Sequence, residues 1–151
     1  TCDMRHATCD MRHATCDLRQ CDMQVALMLI NGTNDEILPY DGGQVAGSRG
    51  GVFSTLDTIA TWRTLNQNTA EALVENLPDS NTEDESTVVR TDYAGPTKLQ
   101  DVTLVTIDGG GHTVPSIEEQ YSNFYERIVG TQNHDVEMAG LVWGFLKDKA
   151  R

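Results

Sequence analysis

Asp35 and His112 have the chemistry and the local setting of an acid–base pair. An imidazole can take up and return a proton near neutral pH, because its unperturbed pKa is about 6.5. It needs a carboxylate on its other ring nitrogen to fix its tautomer and orientation, and Asp35 can serve. Three glycines precede His112 and allow a tight backbone path with positive φ. The alternative is a histidine that only occupies a glycine-rich turn.

Each of these residues follows an apolar run that is typical of a short strand. Residues 25–30, VALMLI, end at the turn-forming residues NGTN, and Asp35 comes next. We expect this strand to be buried on both faces, as in parallel sheets. Residues 102–107, VTLVTI, end at DGGG, and His112 follows. Open α/β sheets carry functional groups on the loops at the carboxyl ends of such strands.

The order of the two units, an Asp strand and then a His strand, is that of the last two members of a Ser…Asp…His hydrolase triad. A nucleophile is not predicted in this chain, because no serine lies in G-x-S-x-G between a strand and a helix. Ser48, in AGSRG, comes nearest but lacks a preceding buried strand, and Ser116 is interpreted as a loop residue. The GGG turn also lacks the lysine of a phosphate-binding loop.

Composition limits the partners. The chain has 11 basic and 23 acidic residues, a net charge of −12, which argues against nucleic acid and anionic membranes as partners. No apolar run approaches the length of a membrane-spanning helix, and the first residues lack the apolar core of a signal peptide. All four cysteines lie within the first 21 residues, so none can cross-link the rest of the chain.

Residues 1–24 form an internal repeat of seven residues, TCDMRHA, followed by a second copy and two decayed ones. The spacing of its weakly apolar residues matches one stripe of a helix. Three interpretations remain open. The repeat is a helical or disordered arm without chemistry, a metal site, or a source of intermolecular disulfides. The metal site would use Cys2, His6, Cys9 and His13, and the disulfides would use Cys2, Cys9 and Cys16.

Further elements indicate an α/β domain over residues 25–151. Ser54 or Thr55 can cap a helix that runs to about Asn66. Residues 76–87 are acidic and polar and predict a solvated loop, whereas residues 88–93 predict a strand that pairs with residues 102–107 as a hairpin. A closing amphipathic helix is expected from about residue 138, with Asp135 as its N-cap and with His134 a surface or capping residue before it.

Three segments together resemble the C-terminal half of polyhydroxybutyrate depolymerase-type esterases, which are α/β-hydrolases with feruloyl and acetylxylan esterase relatives. The segments are INGTNDEILPYDGG, GGGHTVP and VGTQNHDVEMAGLVWGFL, in the family's order. The resemblance implies a partial α/β-hydrolase fold in which Asp35 is the triad acid and His112 the triad base. The family's serine would lie upstream of Thr1.

The resemblance also implies an ester substrate, either a polymer or a plant-wall ester, an extracellular or periplasmic location, and no metal or organic cofactor. A sheet without its central strands would expose apolar surface, so self-association is expected. Two other classes remain open. One is a non-catalytic binding module that oligomerises through residues 1–24, and the other is a metal-binding Cys/His arm on a hydrolase remnant.

Overall fold

The computed structural model of the protein describes residues 24–149. The predictions for the heptad-like repeat, its metal site and its disulfides fall on residues outside this range, apart from Gln24 at its end. Within it the fold is mixed α/β, with a mixed sheet and three helices.

The main sheet has four strands in the order β1-β6-β5-β4. β1 and β6 are parallel, whereas β5 is antiparallel to both β6 and β4. A separate two-stranded ribbon is formed by β2 and β3. The strands are β1 (Leu27–Gly32), β2 (Gly43–Gln44), β3 (Gly51–Val52), β4 (Leu73–Asn76), β5 (Thr87–Tyr93) and β6 (Val102–Asp108), and the helices are α1 (Thr55–Leu65), α2 (Asn123–Val129) and α3 (Met138–Leu146).

The predicted hairpin is confirmed, because β5 pairs with β6 over its whole length. The connection contains a short 3-10 turn, Lys98–Gln100. The acidic segment that precedes β5 is mainly exposed, as expected for a solvated loop, although Ser86 within it is buried. Strand β4 was not predicted, since its four residues, LVEN, are all exposed and carry no alternating pattern.

Alternate residues of β1 and β6 face two separate apolar cores. On one face Leu27 and Leu29 pack with Val102, Leu104 and Ile59 of α1. On the other face the cluster includes β1 residues, β6 residues and Leu141 of α3; its members are Met28, Ile30, Val88, Val105, Ile107, Val136, Leu77 and Leu141. The sheet therefore lies between α1 and α3.

The prediction that residues 25–30 are buried on both faces is wrong in degree. Five of the six residues of β1 are only half-buried, whereas Val102 and Val105 of β6 are fully buried. The difference arises because β6 has a neighbour on each side, while β1 pairs with β6 alone among the described strands.

The helix boundaries follow local capping. Ser54 caps α1, as predicted: its hydroxyl accepts a hydrogen bond from the Asp57 amide. Asp135 does not cap α3, which begins at Met138 with Glu137 at the N-cap position. The Asp135 carboxylate instead accepts hydrogen bonds from the amides of Ser80 and Asn81, so it ties the acidic loop to the segment before α3. Among residues 24–149, no helix has the length and apolar character needed to cross a bilayer.

The central position of β6 generates a test of the core. Replacing Val105, which is fully buried, with Ala should lower the free energy of unfolding by about 2 kcal/mol, because apolar contacts are lost and a cavity remains. Val74→Ala on β4 is the matched control, since Val74 is 59% exposed, and should change stability by less than about 1 kcal/mol. Urea denaturation measures both. Equal losses would contradict the assignment of β6 as the core strand.

Candidate active site

Asp35 and His112 lie on adjacent loops because β1 and β6 are parallel and in register. Gly32 at the end of β1 lies opposite Ile107 of β6, so both strands end at the same edge of the sheet. The loops are then joined by backbone hydrogen bonds. The amide of Thr33 donates to the carbonyl of Ile107 (2.9 Å), and the amide of Asn34 donates to the carbonyl of Gly110 (2.9 Å).

Glycines allow the two loops to pack backbone against backbone. A Cβ on Gly32 would lie 2.2 Å from the carbonyl oxygen of Gly110, and a Cβ on Gly111 would lie 2.4 Å from that of Val129. Both distances are far inside van der Waals contact. Of the three glycines before His112, only Gly109 has positive φ, at 82°. The sequence argument from backbone conformation therefore holds for Gly109, whereas Gly110 and Gly111 are required by close packing.

The two candidate residues are hydrogen-bonded: Oδ2 of Asp35 lies 2.8 Å from Nδ1 of His112. The Asp35 side chain is 4% exposed, and its Oδ1 accepts hydrogen bonds from the amides of Ile37 (2.8 Å) and Leu38 (2.7 Å). Both carboxylate oxygens thus have donors, which compensates for the burial of the charge. The contact between Asp35 and His112 is a feature of the structure, and the catalytic role of the two residues stays a prediction.

The imidazole of His112 is partly exposed in the part of the chain that the structure describes. The His112 side chain is 41% exposed, and within residues 24–149 its Nε2 has no hydrogen-bond partner. The backbone of His112 is fixed as well, because its amide donates to the carbonyl of Val129 at 2.6 Å. An imidazole held at Nδ1 by a buried carboxylate and open at Nε2 can accept a proton from a group that approaches from solvent.

Helix α2 supports this arrangement and was missed in the sequence. Its last residue, Val129, accepts the His112 amide, and Thr131 just beyond it accepts the amide of Gly111 and the hydroxyl of Thr113. The signal was present: Ser122 caps the helix, and Gly130 ends it with a φ of 92°. The helix was hard to predict from its apolar residues, because Phe124 and Ile128 face away from the core.

The segment after His112 is fixed by a second polar network. Pro115 is fully buried. The hydroxyl of Ser116 donates to the Glu137 carboxylate (2.7 Å), and this hydrogen bond lowers the pKa of Glu137 below its usual value. His134 is half-buried rather than a surface residue, and its Nδ1 lies 2.7 Å from the Ser116 carbonyl. These contacts hold the chain that leaves His112 against the segment before α3.

The serine hydroxyls of the described residues have structural roles or lie on turns. Five of them make hydrogen bonds that cap helices or fix loops, and these belong to Ser54, Ser80, Ser86, Ser116 and Ser122. Ser48 has a φ of 56° and follows Gly47, whose φ is 75°, in the turn between β2 and β3. This is the backbone of a tight hairpin turn, and no strand-to-helix elbow surrounds it. Among residues 24–149, no serine is hydrogen-bonded to His112.

Residues 24–149 contain no group of three or more His, Cys, Asp or Glu side chains placed to hold a metal ion. A scan against protein-family models and searches of curated proteins and solved structures found no significant match to this chain. The resemblance to esterases therefore stays a prediction.

The close contact between the loops generates a test of the site's construction. Gly32→Ala should destabilise the protein by about 2 kcal/mol or more, because the added methyl group overlaps the Gly110 carbonyl and must separate the two loops. Gly144→Ala is the control: its Cβ would meet nothing within 4 Å, and alanine favours the helix by up to about 1 kcal/mol. Thermal unfolding compares the two. An unchanged melting temperature for Gly32→Ala would contradict the described packing.

Proposed function

We propose that the chain is the part of a carboxylic ester hydrolase that carries the acid and the base of a Ser-His-Asp triad. Asp35 is the acid, His112 is the base, and the nucleophilic serine lies outside residues 24–149. The observation that carries the proposal is the 2.8 Å contact between a buried Asp35 carboxylate and a partly exposed imidazole whose Nε2 has no hydrogen-bond partner within residues 24–149. The fold is then the C-terminal part of an α/β-hydrolase, in agreement with the parallel pair β1 and β6.

In the proposed reaction the serine hydroxyl attacks the ester carbonyl while Nε2 of His112 takes its proton. The imidazolium that forms is stabilised by Asp35, and it then donates the proton to the leaving alcohol. Water attacks the acyl-enzyme in the second half of the cycle, with His112 again acting as base. The carboxylic acid product is released, and His112 returns the proton to the serine.

The surroundings of Asp35 suit the role of the triad acid. The two backbone amides on Oδ1 fix the carboxylate and leave Oδ2 directed at the imidazole. A carboxylate on Nδ1 selects the tautomer in which Nδ1 carries the proton and Nε2 is free to act as a base. A catalytic Asp–His pair needs this fixed carboxylate, whereas in a surface ion pair neither partner is held in place.

The substrate class and the location come from the resemblance alone: a polyester or a plant-wall ester, with the enzyme acting in the extracellular space or in the periplasm. The net charge of −12 is consistent with an uncharged ester, because an anionic substrate would be repelled.

The first test uses this chain by itself. Hydrolysis of a short-chain nitrophenyl ester should be no faster with the wild-type chain than with His112→Ala, because the serine acyl-enzyme of the triad mechanism cannot form without the serine. His134→Ala serves as the control for loss of a histidine. A stoichiometric burst of nitrophenol that disappears only in His112→Ala would place the nucleophile in this chain and contradict that part of the proposal.

The second test supplies the missing group. The chain is mixed with the N-terminal half of a polyhydroxybutyrate depolymerase-type esterase that includes its G-x-S-x-G elbow. Ester hydrolysis should appear, together with labelling of that serine by a fluorophosphonate. His112→Ala should lower the rate by roughly 10⁴-fold or more, and Asp35→Asn by about 10⁴-fold, as triad substitutions do in serine proteases. Activity that does not depend on His112 would contradict the proposed function.

A further inference from the structure

The loop that carries the candidate base is held by individual hydrogen bonds. Residues 109–122, between β6 and α2, form neither a helix nor a strand. Backbone carbonyls just beyond α2 accept amides of this loop: Thr131 accepts the amide of Gly111 (2.9 Å), and Asn133 accepts the amide of Ser116 (3.1 Å). A segment without a regular backbone ladder depends on each such contact for its conformation.

Gln132 lies between these two carbonyls in the chain and is only 1% exposed. Its Nε2 donates to the carbonyls of Val114 (2.9 Å) and Glu119 (3.1 Å), and its Oε1 accepts from the amide of Tyr121 (2.8 Å). Both N–H groups of the carboxamide therefore have an acceptor. Val114 is two residues past His112, whereas Glu119 and Tyr121 lie at the far end of the loop. One buried side chain thus joins the two ends of the segment that follows His112.

The partners of Gln132 select one orientation of its carboxamide. With nitrogen and oxygen exchanged, the oxygen would face two carbonyls and the NH₂ group would face an amide, so all three hydrogen bonds would be lost. The backbone of Gln132 is held as well, because its amide donates to the Glu126 carboxylate of α2 (3.2 Å). The side chain is therefore fixed between α2 and the loop.

We propose that Gln132 is a positioning residue, whose carboxamide holds the segment that leaves His112 and so keeps the imidazole in hydrogen-bond contact with Asp35. Its catalytic meaning rests on the proposed function. Gln132 acts through backbone groups of the loop, whereas the Asp35 carboxylate is fixed separately by the amides of Ile37 and Leu38. A movement of the His112 loop therefore changes the 2.8 Å distance from Nδ1 to Oδ2. A shift of about 0.5 Å already takes such a contact beyond a normal hydrogen bond.

The alternative is that Gln132 only stabilises the fold, and Gln100 is the matched control for that role. Gln100 is 6% exposed, and its carboxamide also makes three hydrogen bonds, to the carbonyl of Asn66 and to the amide and hydroxyl of Thr97. Loss of either carboxamide leaves buried backbone groups unsatisfied, which destabilises the protein. Gln100 precedes β6, however, whereas His112 follows it, so the seven residues of this strand separate the two by roughly 20 Å.

NMR of the 151-residue chain compares the two roles in Gln132→Met and Gln100→Met. Methionine is unbranched like glutamine but lacks the carboxamide. Both variants should lose a similar amount of thermal stability, roughly 5 °C in melting temperature. Only Gln132→Met should lose the downfield signal of the His112 Nδ1 proton, and only in this variant should the His112 amide exchange at least about 10-fold faster than in the wild-type chain.

Two results would overturn the proposal. Gln132→Met could keep the wild-type Nδ1 signal although it loses as much stability as Gln100→Met, which would make Gln132 a stabilising residue only. Gln100→Met could lose the signal as well, which would show that the imidazole responds to any loss of stability rather than to Gln132.

Native-state hydrogen exchange of the wild-type chain tests the proposal without a substitution, and so does not depend on the folding of Gln132→Met. The carboxamide protons of Gln132 and the amide proton of His112 should have protection factors within about 10-fold of each other, because one opening of the loop exposes both. Protection of the Gln132 carboxamide at least about 100-fold below that of the His112 amide would contradict the positioning role.

Ester hydrolysis by the mixture with the N-terminal half of a depolymerase-type esterase separates the two proposals. If both hold, Gln132→Met should lower kcat by up to about 100-fold and change KM by less than about 2-fold, whereas Gln100→Met should leave both unchanged. Loss of the Nδ1 signal in Gln132→Met, without any His112-dependent hydrolysis by the wild-type mixture, would support the positioning role and contradict the proposed function. Hydrolysis that depends on His112 but not on Gln132 would do the reverse.

Discussion

The parallel pairing of β1 with β6 is the constraint on which the rest of the site depends. It brings the carboxyl ends of two strands that are about 75 residues apart in sequence to the same edge, and both functional loops start there. An antiparallel arrangement would place Asp35 and His112 at opposite edges. Val102 and Val105 of β6 are fully buried and keep the paired strands in the core. The same strand pairing therefore stabilises the sheet and sets the geometry of Asp35 and His112.

The Asp35 carboxylate can be buried only because the surrounding groups supply hydrogen-bond donors to it. A buried carboxylate without donors would be strongly destabilising, but two backbone amides and the imidazole satisfy it here. The Asp35 and His112 loops can approach closely enough to do this because Gly32 has no side chain that would overlap the backbone of Gly110 and Gly111. Helix α2 completes the support by accepting the His112 amide at its last residue. His112 is thus held at Nδ1 by Asp35 and at its backbone amide by α2, while its side chain remains 41% exposed.

Local patterns carried enough information to predict strands β1 and β6, their hairpin partner β5, the N-cap of α1 and the two residues that meet at the site. Each of these depends on a short run of residue types with a clear physical preference. Apart from α2, whose capping residues are visible in the sequence, the failures involve long-range contacts. Asp135 has the residue type of an N-cap, but its carboxylate binds the amides of Ser80 and Asn81, which no local pattern reveals. β4 forms only because β5 is beside it, and the half-burial of β1 depends on which strands are its neighbours.

The most direct test of the account is the tautomer of His112, measured by nitrogen-15 NMR of the imidazole at a pH where the ring is neutral. The account predicts a single tautomer with the proton on Nδ1, a far-downfield signal from that proton, and the loss of both in Asp35→Asn. His134 in the same spectra provides a reference histidine without a carboxylate partner on Nδ1. A neutral His112 that carries its proton on Nε2, or that is unaffected by Asp35→Asn, would contradict the assignment of the pair as a triad acid and base.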